Sequence, residues 1–122
     1  MAVGSYSEGA IYLVPDAKLR FVPQGNPHDT MRPFLILTRE AENLRDDWPV
    51  VFGCPVSSQT GWTTAHDLPL SAGTAGLQRK SWARIPMAQA VLKADLEDYQ
   101  GKIPDDLLMK ARGLLARYIG LA

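Results

Sequence analysis

Seven polar residues near the ends of apolar segments carry side chains suited to phosphodiester chemistry. His28 and Asp29 lie in a proline-rich loop, Arg32 stands just before an apolar run, Ser57, Ser58 and Gln59 follow another, and Arg84 lies within a third. Guanidinium groups stabilise charge on a pentavalent phosphorane, and hydroxyls donate hydrogen bonds to it. A carboxylate or imidazole within reach takes the proton from a ribose 2′-hydroxyl. RNA supplies its own nucleophile, so such a reaction needs no metal, no covalent enzyme nucleophile and no cofactor. Each residue also has a plainer reading. An arginine before a strand is commonly a solvated or ion-paired edge residue, "SSQTG" is an ordinary turn composition, and Arg84 at an alternating position would face water. Cys54 reads as a small buried hydrophobe, and Trp48, Trp62 and Trp82 as core or interface residues.

Other chemistries find no footing in the sequence. There is no phosphate-binding glycine loop, dinucleotide fingerprint, HExxH or Gly-x-Ser-x-Gly elbow, so no cofactor is expected. His28 and His66 are the only histidines and have no partner at metal-ligand spacing, and one cysteine allows neither an internal disulfide nor a four-thiolate zinc site. Thirteen basic residues balance thirteen acidic ones, so any RNA contact depends on a local patch rather than bulk charge. The longest apolar runs are far shorter than the roughly 20 residues that span a bilayer, and the N-terminus lacks a basic-then-apolar signal pattern. The expectation is a cytoplasmic protein with no membrane contact.

The elements that must position these residues are mostly short strands. A length of 122 residues with 46% apolar and 21% charged residues suits one globular domain over 9–122 behind a loose tail at 1–8. "AIYLV" (10–14), stopped by Pro15, reads as the first strand. A long loop runs from Pro15 to Met31, with room for a short strand at 18–22. "FLILT" (34–38) is apolar throughout and suits a strand buried on both faces. "REAENLRDDW" (39–48) returns the chain through a helical turn, and "PVVFGCPVSS" (49–58) is the third strong strand, bent at Gly53 and Pro55. "AHDLPL" (65–70) suits an edge strand, "SWARIP" (81–86) another strand and "AVL" (90–92) a short one. A helical turn is expected at 95–99. From Pro104, Leu107, Leu108, Ala111, Leu114, Leu115, Tyr118 and Ile119 recur at helical spacing and predict a terminal helix packed on the sheet. The sum is a mainly β (α+β) fold: a small, strongly curled, antiparallel barrel-like sheet of five or six strands with a C-terminal α-helix.

Taken in order, "EGAIYLV", "RPFLILT", "CPVSSQTG", "HDLPL", "GLQRKSWARIPMAQAVLKADL", "GKI" and "PDDLLMKARGLLARYIGL" resemble the MazF/PemK (Kid) family of toxins from toxin–antitoxin modules, from about Glu8 to Leu121. The resemblance implies the same curled barrel-like sheet with a C-terminal helix, of the kind shared with CcdB and SH3-like barrels. It implies a homodimer that cleaves single-stranded RNA without metal, leaving 2′,3′-cyclic phosphate and 5′-hydroxyl ends, and that a cognate antitoxin neutralises. By that likeness Arg32 matches the family's catalytic arginine and Ser57 its hydroxyl residue. Arg84 matches the arginine of a later strand, with Ser58 and Gln59 beside the RNA. The general base is open between His28 and Asp29. The sequence departs from the pattern at Pro86, which stands where one branch of the family has an aspartate. A non-catalytic member acting by protein binding, as CcdB-like gyrase inhibitors do, is the rival reading.

Overall fold

The computed structural model describes residues 6–20, 31–61 and 63–121. Seven strands appear among them: β1 (Ala10–Pro15), β2 (Met31–Ile36), β3 (Val50–Ser57), β4 (Leu68–Leu70), β5 (Ser81–Ala83), β6 (Gln89–Leu92) and β7 (Glu97–Lys102). A one-turn helix α1 (Glu40–Asn43) follows β2, and α2 (Asp105–Tyr118) closes the chain. The strands run in the order β4-β5-β3-β2-β1-β7, with β6 also paired to β3. All the pairings are antiparallel. β3 is the hinge of this curled half-barrel: Val50 to Gly53 pair with β6, whereas Val56 and Ser57 pair with β5.

Alternation along the strands explains why "FLILT" has no polar face. Ile11, Leu35, Leu37, Cys54 and Val56 join one core beneath α2, and Tyr12, Val14, Phe34, Ile36 and Val51 join a second on the other side. Successive side chains point to opposite faces, and both faces of β2 are covered. Leu108 and Ala111 of α2 are buried in the first core, with Leu107, Leu114 and Leu115 packed against it. Tyr118 and Ile119, expected in the same stripe, are exposed, because the helix runs past the sheet. Pro104 caps α2 rather than opening it. Arg112 fastens the helix to the sheet by donating from Nε and Nη2 to the Leu37 carbonyl at 3.1 and 2.9 Å, and Nη2 also meets Glu8 Oε1 at 2.9 Å.

Several boundaries differ from the sequence reading. The turn expected at 95–99 is a 3-10 turn at Lys93–Asp95 followed by β7. The polar "EDYQGK" becomes a strand because its backbone pairs with β1 across a bulge. β5 ends at Ala83 and the chain enters a 3-10 turn at Ile85–Met87, where Pro86 has no N–H to continue a ladder. β2 begins earlier than expected, so Arg32 lies inside it, opposite Val14 of β1. Glu8, assigned to a loose tail, accepts a hydrogen bond from Glu40 N as well as the Arg112 contact. The expected strand at 18–22 falls partly outside the described residues, while Asp16–Lys18 form a 3-10 turn.

Candidate functional site

The ends of β2 and β3 open onto a cleft of about 400 Å³ whose walls include Arg32, Ser57, Ser58, Gln59, Arg79 and Gln100. Register explains the meeting of the first two. β2 and β3 pair at Phe34↔Pro55 and Leu35↔Cys54, and continuing that antiparallel count by two residues sets Arg32 opposite Ser57. Two facing positions of an antiparallel pair present their side chains to the same side. Arg32 is thereby held at its base by a strand buried on both faces, while its guanidinium reaches the cleft.

Asp16 decides how that guanidinium lies. It opens the 3-10 turn after β1, and its Oδ1 accepts from Arg32 Nε at 2.7 Å, with the two side chains only 13% and 18% exposed. A carboxylate on Nε fixes the plane of the guanidinium. The sequence reading did not single out Asp16, since sixteen residues separate the two and only the β1–β2 register, with Pro15 opposite Met31, brings them together. Ser57 is nearly buried at the end of β3. Its Oγ accepts from Gln59 N at 3.2 Å, which turns the chain sharply and leaves Ser58 and Gln59 exposed at the rim.

Arg79, also passed over, is exposed on the same cleft and has no ion-pair partner among the described residues. The signal available was the Arg79-Lys80 pair just before β5. The opposite wall comes from Gly76 and Gln100: a Cβ on Gly76 would stand 2.5 Å from the Gln100 carbonyl, and its φ is +83° less four, +79°. Only glycine allows both that approach and that backbone.

Arg84 is corrected. It is neither solvent-facing nor on the cleft, but 3% exposed, with Nε 3.3 Å from Asp67 Oδ1. Asp67 Oδ2 in turn accepts from Thr64 N at 2.6 Å, and Arg84 N donates to the Pro55 carbonyl. The pair ties the β3–β4 connection to β5 from inside. A buried arginine at an alternating position looks like an exposed one in sequence, because its carboxylate partner is seventeen residues away. Cys54 lies beneath, fully buried, and burial, with the Asp67 charge second, pushes its thiol far above the usual range. His28 and Asp29 lie outside the described residues. Among the described residues, no group of three or more His, Cys, Asp and Glu is placed to hold a metal ion, and no helix is long and apolar enough to cross a membrane.

A family model for PemK-like, MazF-like toxins of type II toxin–antitoxin systems matches residues 7–119. Among curated proteins no sequence matches the chain. The fold is similar to that of the Mycobacterium tuberculosis toxin MazF-mt6, with a TM-score of 0.71 and 22% identity over 93% of this chain and 98% of that one. A MazE–MazF crystal structure from Deinococcus radiodurans aligns with a TM-score of 0.68 and 17% identity over 95% of each chain. An endoribonuclease in complex with its cognate antitoxin, from a mycobacterial species, aligns with a TM-score of 0.66 and 17% identity over 95% of this chain and 94% of that one.

Proposed function

The chain belongs to the PemK-like, MazF-like toxins of type II toxin–antitoxin systems, and from that premise we propose that it is a metal-independent endoribonuclease acting on single-stranded RNA. The observation that carries the proposal is Arg32 and Ser57 on one cleft, at facing ends of adjacent strands, with Asp16 orienting the arginine. The 2′-hydroxyl of the substrate attacks the adjacent phosphorus. As the 2′-O–P bond forms and the P–O5′ bond breaks, Arg32 stabilises the charged phosphorane and the Ser57 hydroxyl supports it. His28 or Asp29 takes the 2′ proton and the departing 5′-oxygen gains one from solvent. The products are a 2′,3′-cyclic phosphate and a 5′-hydroxyl. Ser58, Gln59 and Arg79 at the rim contact neighbouring nucleotides, whereas Arg84 serves from the interior by holding the β3–β4 connection.

The wider setting of this reading is a homodimer in the cytoplasm, held inactive by a cognate antitoxin. The MazE–MazF and endoribonuclease–antitoxin complexes of similar fold support that partner class. One observation favours a second reading, a member that has lost cleavage: Pro86 occupies the position where one branch of the family has an aspartate, and Arg84 beside it is buried. The test is incubation of the purified protein with long single-stranded RNA in EDTA, with ends mapped by primer extension. Discrete cuts bearing cyclic phosphate, reduced about 100- to 1,000-fold in Arg32→Ala, are expected. Intact RNA in the presence of folded protein would establish the second reading instead.

A further inference from the structure

A second cleft, of about 480 Å³, is lined by Tyr6, Tyr12, Tyr99, Asn43, Lys93 and Asp98 among others, and shares no lining residue with the first. Tyr12 lines this cleft and its neighbour Leu13 lines the other, so β1 separates the two through the alternation of its side chains. The tyrosines form a connected wall. Tyr12 and Tyr99 meet edge to face with ring centroids 5.5 Å apart, and Tyr6 stands 5.9 Å from Tyr12.

Asn43 gives this cleft an unmet acceptor. The residue is 1% exposed, its Nδ2 donates to the Thr38 carbonyl at 2.7 Å, and its Oδ1 has no hydrogen-bond partner. Flipping the amide does not help, because it would set Oδ1 against the Thr38 carbonyl oxygen. An acceptor left dry in this way costs stability and calls for an N–H donor from outside. The charges select the donor. Arg45 is engaged by Asp47 through two contacts of 3.0 Å, and Lys93 Nζ donates to the Arg45 carbonyl and lies over the Tyr6 ring. Asp46 and Asp98 also line the cleft and have no ion-pair partner among the described residues. Three carboxylates against two committed cations disfavour a phosphate-bearing ligand, and aromatic faces favour a cation.

We propose that this cleft binds a guanidinium group. A guanidinium offers several in-plane donors, one of them for Asn43 Oδ1, carries a charge for Asp46 and Asp98, and has flat faces that stack on tyrosine. The group can come from free arginine or from an arginine side chain of a polypeptide, and the chemistry recognised is the same. The site does not depend on ribonuclease activity and stands or falls separately from it.

The experiment is an NMR titration of the full chain with N-acetyl-arginine amide, beside free arginine, a short arginine-bearing peptide, the lysine amide and adenosine monophosphate. Saturable shifts at Tyr6, Asn43 and Tyr99 with the arginine probes are expected, weakened about five- to tenfold by Tyr99→Ala and by Asp98→Asn and unchanged by Arg32→Ala. Asp98→Asn suits the test because Asp98 has φ +47°, a conformation asparagine also adopts. Asn43→Leu is a poorer variant, since it removes the Thr38 contact. Tighter binding of the peptide than of free arginine would identify a protein partner, and equal binding a small molecule; either supports the site. No saturable shift, equal affinity in both cleft variants, or preference for the lysine amide or the nucleotide would overturn it.

Discussion

Alanine at Gly53 and at Gly113 should move stability in opposite directions. Gly53 sits in β3 opposite Ile36 of β2, and a Cβ there would lie 2.0 Å from the Leu35 carbonyl oxygen and 2.8 Å from Phe34 Cε2. Ordinary contact begins at 3.4 Å, so the strands must part by about 1.4 Å, and a carbonyl in a ladder cannot swing aside as a flexible side chain would. The strain falls beside the bonds from Leu37 N and Thr38 N to the Phe52 carbonyl. Overpacking costs about 1–3 kcal/mol, and weakening one or two buried hydrogen bonds about 1–2 more. The expected loss for Gly53→Ala is about 3–4 kcal/mol, a large part of a typical total. For a chain of 122 residues that is a fall in Tm of about 12–16 °C. Gly113 lies exposed in α2 with nothing within 4 Å of its would-be Cβ, and Gly113→Ala should gain about 0.5–1 kcal/mol from helix propensity. Urea unfolding followed by circular dichroism measures both. Should Gly53→Ala unfold within about 0.5 kcal/mol of the parent, the close approach of β2 and β3 would be refuted, and with it the register that faces Arg32 toward Ser57.

Removing one partner of the buried Arg84–Asp67 pair, as in Arg84→Met, should cost about 3–5 kcal/mol because Asp67 is left as an uncompensated interior charge; denaturation at neutral pH reads this directly. Cys54 should resist alkylation at mildly alkaline pH, since burial keeps its thiol protonated, and labelling should proceed only as fast as the core opens, a rate that mass spectrometry follows. The Glu8 carboxyl is held below its ordinary value of 4.5, first by the hydrogen bond from Glu40 N and then by Arg112. The unfolded state therefore binds more protons as the pH falls past 4.5, and the contribution present above that value is lost on acidification. Glu8→Gln should flatten the acid limb of the stability curve by under about 1 kcal/mol, the partners being partly exposed, and an unaltered limb would count against the contact. Asp16→Asn should lower RNA cleavage by about tenfold with little change in Tm if Asp16 serves to orient Arg32.

The sequence by itself determined what local pattern can carry. An unbroken apolar run at 34–37 can only be covered on both sides, a 3.6-residue stripe from Leu107 must face the sheet, and breakers at Pro15, Gly53 and Pro55 mark where strands stop or bend. It also marked Arg32 and Ser57, because each stands at the end of such a run. Tertiary structure alone decided which polar residues meet. Asp16 reaches Arg32 through the β1–β2 register, Arg84 turns inward because Asp67 is waiting there, and polar β7 becomes a strand because β1 needs a partner. Asn43 is buried with an unmet acceptor for a similar reason: the return after β2 packs against β7 and the segment before it. Periodicity is a property of neighbours in the chain, whereas the fate of a charge or an amide depends on what the closing of the sheet sets against it. Burial and partnership of polar groups are therefore settled only when distant segments meet.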